Sequence, residues 1–556
     1  MSASRPNFLV AFHPSVKGGV MLDFLREHLK VGENIAQSEH HHRWTTGGTP
    51  QDLYLGLGVA AVSLTPEQKK RLEKVKDLVR GISPNQARSV PHPSLLTALT
   101  GFHRASVQDI GGDDGDSGGD ENDDDAGNGP GAQDIGGDDG DSGGDENDDD
   151  AGNGPGAQDI GGDDGDSGGD ENDDDAGNGP GAQDFQGHRR PGPESYPWLQ
   201  PYLSGQLDAI RSLLARLARP GGLGPQSPQR RRKVYRDTEK LTWALQALGL
   251  APDPHTTRLP TGRDVIVAVL DTGLDLTHPD FLGRVSPGRQ RSLLPGVASV
   301  QDGHGHGTHC CGIIAGPQRP RQGPRYGVAP GCQLVVGKVL DDRGHGWDSE
   351  ILHGIHWAIF EQKARIVNLS LGQPRGKNKP VSHAYETVAW RLHQPDPAIA
   401  TACAQGRPSF SPRHAPQALL VAAAGNASHR PARLAPVEDP AASPAFLAIA
   451  ALDAALRVAG FSCAQVDPLG LLSFSAPGVG IHSSLPVGHG PQGANYGRLS
   501  GTSMAAPHIT GLAALYLERS PHLSPAELRH RLEATARPLG PVTSYGRGLG
   551  RWWELK

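Results

Sequence analysis

Along the second half of the chain, short runs of uninterrupted apolar residues recur between amphipathic stretches. VIVAVL (265–270), CQLVVGKVL (332–340), RIVNLSL (365–371), ALLVAAAG (418–425) and FLAIAAL (446–452) show no regular polar alternation. A strand that is apolar throughout has both faces buried, the pattern of a parallel sheet covered on two sides. Helical segments separate several of these runs, notably 347–364 and 509–520. The reading is an α/β domain over about 234–556, its mainly parallel sheet flanked by helices on both faces. Residues 1–105 are patterned differently. Strand-like content at 52–64 precedes TPEQKKRLEKVKDLVRGI (65–82), in which Thr65 caps, Pro66 sits in the first turn, and Leu72, Val75, Leu78 and Val79 share one helical face. This predicts a strand, a helix through 82 and a Val/Pro-containing strand, within a small α/β domain.

Composition divides the rest. Residues 108–182 are three identical copies of QDIGGDDGDSGGDENDDDAGNGPGA, and they hold 27 of the 61 carboxylates. The remainder carries 34 acidic against 53 basic side chains, so the net charge of -8 hides a basic protein with an acidic insert. With one Ile per copy, residues 106–184 cannot bury enough surface to offset the entropy of ordering and read as a disordered spacer. Asp114-Gly115-Asp116 resembles the start of a calcium loop, but Gly118 and Asp125 stand where Asp or Asn and a closing Glu are wanted. A Pro/Gly/Arg-rich linker follows over 185–233, with one amphipathic helix at about 203–218. The start of the chain lacks the charge-then-apolar pattern of a signal peptide, and no run reaches 18 apolar residues. Together with five cysteines and no CxxC, this is the expectation for a soluble protein with free thiols, cytoplasmic or exported by a non-classical route.

DGHGHGTHCCGIIAG packs His304, His306, His309, Cys310 and Cys311 into eight positions. Imidazole and thiol are zinc ligands, yet adjacent cysteines without a distant second pair do not suit a tetrahedral ion. A catalytic reading fits better. Asp271 directly follows VIVAVL, where an open parallel sheet presents reactive groups at strand C-termini. His306 precedes an apolar run that enters a helix near Thr308, and Ser503 stands in LSGTSMAAPH, where Gly501, Ala505 and Ala506 leave room around the hydroxyl. A serine hydroxyl becomes a nucleophile when an imidazole takes its proton, and the imidazole needs a carboxylate to fix its tautomer.

The chain order Asp, His, Ser separates this set from the chymotrypsin and α/β-hydrolase orders. With VAVLDTGLDLTHPDF, GHGTHCCGIIAG and SGTSMAAPH, residues from about 234 to 550 resemble the subtilisin-like serine proteases. The resemblance implies a serine endopeptidase with no cofactor for catalysis, acting on protein or peptide substrates. It also implies that Asn426, in VAAAGN, is the side-chain oxyanion donor, and that extended substrate lies between Gly344-His345-Gly346 and Leu369-Ser370-Leu371-Gly372. Asp280, in THPDF, matches a calcium ligand of many relatives, but GPQRPRQGPRYG (316–327) replaces the Asn-rich companion loop, so that site is not expected to persist. A Pro/Arg/His-rich insertion at 393–417 departs from the family.

Residues 1–105 resemble subtilisin prodomains in layout, which implies an intramolecular inhibitor, with cleavage expected near Arg230-Arg231-Arg232. His309 reads as a buried structural histidine, His304 has no assigned role, and Cys310 and Cys311 imply mercurial sensitivity. No acidic cluster marks a pocket for basic side chains, so Leu369, Leu371 and the VAAAG strand point to an apolar or broad preference. Nucleic acid and membrane partners are not expected, and a monomer is. The alternative is a non-catalytic interaction or calcium-buffering protein on a decayed protease fold; retention of Asp271, His306, Asn426 and Ser503 argues against decay.

Overall fold

A computed structural model describes residues 5–90, 233–393 and 417–553, apart from 14–15, 30–35, 38–40, 47–48, 252–258 and 445. The acidic repeats, the helix expected at 203–218, Arg230-Arg231-Arg232 and most of the insertion lie outside the described residues.

The N-terminal segment runs β1 (Phe8–Phe12), α1 (Gly18–Leu29), β2 (Ala36–Gln37), β3 (His41–Thr46), β4 (Thr49–Tyr54), β5 (Val59–Val62), α2 (Pro66–Leu72), β6 (Val79–Pro84) and β7 (Ala87–Ser89). Its first six strands form one antiparallel sheet in the order β2-β3-β4-β5-β1-β6. Helix α2 begins as expected, with a capping box between Thr65 and Gln68, but it ends at Leu72 instead of reaching 82. Val79 and Ile82 pair with Phe12 and Val10 of β1, so long-range ladder bonds override a stripe that also fits a helix. Alternation gives this sheet two apolar faces. Val10, Phe12, Ala60 and Val62 pack with α1 and Leu72, whereas Leu9, Tyr54, Val59 and Ala61 join a core shared with the second half of the chain.

That second half is built on seven parallel strands: β8 (Ile266–Asp271), β9 (Gln290–Ser292), β10 (Gln333–Lys338), β12 (Ile366–Leu369), β13 (Leu419–Ala423), β14 (Phe446–Leu452) and β15 (Phe474–Pro477). They lie in the order β15-β14-β13-β12-β8-β10-β9. All five apolar runs are strands here, and each is buried on both faces. In β8, Val267 and Val269 face the core of α3 (His306–Ala315) and α6 (Thr502–Arg519), while Ala268 and Leu270 face that of α4 (Asp348–His356) and α5 (His383–His393). The hairpin-like pair β16 (Ile481–Ser484) and β17 (Tyr496–Leu499) packs beside α3, and α7 (Pro525–Thr535) beside α6. Strand β11 (His345–Trp347) leaves the main sheet and pairs with β7 of the N-terminal segment.

Candidate active site

Strand β8 ends at Asp271, 1% exposed, so the strand delivers this carboxylate to the rim of the sheet. His306 opens α3, and its Nδ1 stands 2.7 Å from Asp271 Oδ1, which also accepts the Thr272 amide at 2.8 Å. The helix therefore begins two residues before Thr308, whose hydroxyl is already committed to Asp302 Oδ2 at 2.7 Å and to the Asp275 amide at 2.9 Å. Close approach of the two elements needs Gly307: a Cβ there would sit 2.2 Å from the Gly273 carbonyl oxygen. His306 Nε2 has no hydrogen-bond partner among the described residues.

Ser503 is the second residue of α6 and is 2% exposed. Its hydroxyl donates to the Ser370 carbonyl at 3.1 Å, so in this state it is turned toward the 370 edge. A rotation about χ1 is the movement that exchanges this partner for another, and catalytic contacts commonly tighten only when substrate is present. His306, Ser503, Asn426 and Met504 line a common cavity of about 190 Å³. Asn426 Oδ1 accepts both the amide of Thr502 at 3.0 Å and its hydroxyl at 2.9 Å. Because a backbone N–H can only donate, this fixes the amide orientation and leaves Nδ2 as the free donor arm. A Cβ on Gly501 would lie 3.3 Å from that Nδ2, crowding the space before it.

Two residues that sequence reasoning did not single out hold this arrangement. Thr502 clamps Asn426 and also accepts the Gly425 amide at 3.0 Å. Asp302, 2% exposed, accepts from the amides of His304, Gly305 and Thr308 and from the hydroxyls of Thr272 and Thr308, all at 2.7–3.0 Å. Gly305 is the N-cap residue of the helix that carries His306, and Asp302, three residues earlier, accepts the Thr308 amide of its first turn; an Asp shortly before a helix start is the signal that marks it.

The histidines and cysteines around His306 sort by environment. His309 is fully buried with Nε2 3.0 Å from the Ile481 carbonyl, and burial pushes it down to about 3, so it stays neutral. His304 lies against Gly344 and lines the shared cavity. Asp271, His306 and Cys310 bring three possible ligand atoms within 4.8 Å of one another. The set does not suit an ion: His306 Nδ1 is engaged by Asp271, and burial pushes the Cys310 thiol well above its ordinary range, keeping it protonated.

The Asp280 carboxylate is engaged by protein donors. Its Oδ2 accepts the hydroxyls of Tyr326 at 2.6 Å and Tyr496 at 3.0 Å, and its Oδ1 accepts the Arg321 amide at 3.0 Å. The replacement loop has closed this carboxylate with protein donors, where a cation would need more oxygen acceptors.

The residues expected to hold substrate form two edges that are already bridged. Gly344 accepts the Val90 amide at 3.0 Å, His345 and Gly346 pair with Ser89 and Arg88, and Gly372 exchanges a hydrogen-bond pair with Ser89 at 3.3 and 3.4 Å. Ser370 is fully buried, its hydroxyl donating to the Ser503 carbonyl at 2.8 Å. Leu369 and Leu371 are buried in a core that also contains Val90 of the bridging strand.

The subtilase family model matches residues 262–548, which include Asp271, His306, Asn426 and Ser503. The chain is 38% identical to Subtilisin of Bacillus pumilus over 290 residues, 52% of this chain and 90% of that protein. It is 37% identical to Subtilisin E of Bacillus subtilis (strain 168), covering 65% of that protein, and 35% identical to Subtilisin Savinase of Lederbergia lenta over 311 residues, 97% of it. A seven-stranded parallel sheet, a buried Asp–His pair at its rim and a family match across both lead to one assignment: the chain belongs to the subtilase family of serine peptidases.

Proposed function

We propose that the chain hydrolyses peptide bonds through an acyl-enzyme, with Asp271, His306 and Ser503 as its triad, and that it is made as a self-restrained precursor. The observation that carries the first part is the 2.7 Å bond from His306 to Asp271, with Nε2 unpartnered among the described residues and Ser503 lining the same cavity. Ser503 Oγ attacks the scissile carbonyl as His306 Nε2 takes its proton; Asp271 holds the imidazole tautomer and stabilises its cation. The oxyanion is met by Asn426 Nδ2 and the Ser503 amide. His306 returns the proton to the leaving amine, and water then attacks the acyl ester by the same route.

Restraint is supported by the position of residues 88–90, paired to both substrate edges as an added strand. A fluorophosphonate probe tests the catalytic part: it should label Ser503 in processed protein and not a Ser503→Ala chain. Absence of an adduct under conditions that label Subtilisin E would refute it. Comparing the full chain with residues 234–556 tests the restraint, since full folding yield with unchanged activity in the shorter chain would count against it.

A further inference from the structure

One arginine of the N-terminal segment is buried where a bound peptide would place a side chain. Arg88, opposite Gly346 in the β7–β11 pair, is 2% exposed. Its Nε donates to Asp348 Oδ1 at 2.5 Å and its Nη2 to Asp348 Oδ2 at 3.0 Å, a two-point fork, while Nη1 reaches the Asp439 carbonyl at 3.4 Å. The Tyr385 ring lies 5.5 Å from the guanidinium carbon, and its hydroxyl donates to Asp348 Oδ1 at 2.7 Å. Asp348 is 1% and Asp439 8% exposed, and Asp439 Oδ1 has no hydrogen-bond partner among the described residues. Burial raises the Asp439 carboxyl, and the nearby Arg88 and Arg375 guanidinium groups both oppose that rise.

The backbone ladder of β7 asks nothing of the side chain at 88; alanine would satisfy it equally. The acidic wall belongs to the other partner. Asp348 starts α4, Tyr385 sits on α5, and Asp439 lies next to Glu438, whose carboxylate approaches Gly372. Three separate elements thus converge on one guanidinium. Buried acids of this kind are costly without a partner, so the wall is complementary to a cation that arrives with the bound strand.

Resting on the groove reading above, we propose that Asp348, Tyr385 and Asp439 form a specificity pocket for a substrate arginine, three residues upstream of the residue that supplies the scissile carbonyl. The register sets that number. Ser89 is antiparallel to Gly372, so each step from Gly372 back to Ser370 is a step forward along a strand bound in its place. Ser370, whose carbonyl meets the Ser503 hydroxyl, then faces the position three beyond that of Arg88. Lysine is a poorer occupant, because a point charge does not match the fork.

The processed protein, freed of its N-terminal segment, is incubated with a peptide library, cut sites are read by mass spectrometry, and the fluorophosphonate probe reports on Ser503 in the same sample. Arginine should be enriched at the fourth position before the cut, favoured over alanine by about a hundredfold in kcat/KM, the scale expected for one partner of a buried charge pair. In Asp348→Asn the preference should fall below about tenfold, since the neutral amide loses the charge-assisted fork. Cuts without arginine enrichment at that position overturn the pocket and leave the peptidase standing. An unreactive Ser503 overturns the peptidase instead, and the arginine site is then judged by amide exchange in the full Ser503→Ala chain. There, Arg88→Ala should speed exchange at Ser89 and Val90 by about a hundredfold; unchanged exchange overturns it.

Discussion

Replacing Asp302 by Asn tests whether its hydrogen bonds at the start of α3 position His306, the proposed base. The carboxylate is nearly isosteric with the amide, so no cavity forms, but its acceptor-only character is lost. In the best orientation the amide oxygen keeps the Thr272, His304 and Gly305 donors, and the NH2 faces Thr308. The Thr308 hydroxyl is able to rotate and accept; its backbone N–H is not, and a buried unpaired N–H costs about 1–3 kcal/mol. The three retained bonds lose their charge assistance, roughly halving each and adding about 2–4 kcal/mol together. The expected destabilisation is therefore about 3–7 kcal/mol, measured by urea unfolding in a Ser503→Ala background that prevents self-digestion. With Ser503 intact, kcat should fall about ten- to a hundredfold with KM within about twofold, because a displacement of order 1 Å at the imidazole costs on that scale. An unfolding midpoint equal to the parent's, or a loss expressed in KM alone, would refute the positioning role.

Four further outcomes follow from the same geometry. Burial lifts the Glu438 carboxyl from 4.5 to about 7, so its contribution is fully present below pH 4.5 and is lost as pH rises through 7. Glu438→Gln should remove about 3 kcal/mol of pH dependence across that window, and an unchanged slope of unfolding free energy against pH would contradict it. Buried and protonated, Cys310 should resist iodoacetamide at pH 8 in the native chain while a mercurial inhibits, and a Cys310→Val, Cys311→Ala variant should lose the mercury sensitivity; full retention rejects the assignment. Tyr326→Phe breaks the 2.6 Å bond to Asp280 and should cost about 1–3 kcal/mol by thermal unfolding, a deficit that excess calcium leaves unrestored if the carboxylate is closed by protein donors. Asn426→Ala should lower kcat by about 100- to 1000-fold in a peptide-cleavage assay, a magnitude drawn from subtilisin and not worked out on this chain; a smaller effect on kcat than on KM would remove Asn426 from the oxyanion site.

What the sequence makes legible is what local pattern encodes. Five apolar runs are five strands because a strand buried on both faces has no polar position to disguise it. Strands Gln290–Ser292 and Phe474–Pro477, at the two edges of the sheet, are short and lack such a run, so they escape. The helix read through 82 stops at Leu72 because pairing with Phe8–Phe12 outweighs a stripe compatible with either structure. Asp271, His306 and Ser503 are legible from the company each keeps; Thr502 is not, since its work is to grip Asn426 76 positions earlier. The expectation of an apolar or broad preference rests on Leu369, Leu371, the VAAAG strand and the lack of an acidic cluster in the sequence. Asp348 and Asp439 lie 91 positions apart, and Arg88 contacts both, the first at its carboxylate and the second at its main-chain carbonyl.

Under the proposed restraint, the two-faced N-terminal sheet gives release from the groove a direction. While the chain is continuous, the segment rebinds at the high effective concentration of a tethered partner. Once the tether is cut, Leu9, Tyr54, Val59 and Ala61 have no cover of their own, because α1 and α2 occupy the opposite face. A freed segment must expose that apolar surface to water, which lowers its own stability and opens its backbone to the peptidase beside it. Such digestion makes dissociation a ratchet: each departure removes the competitor for good, so activity in a population would accelerate as the first molecules become free.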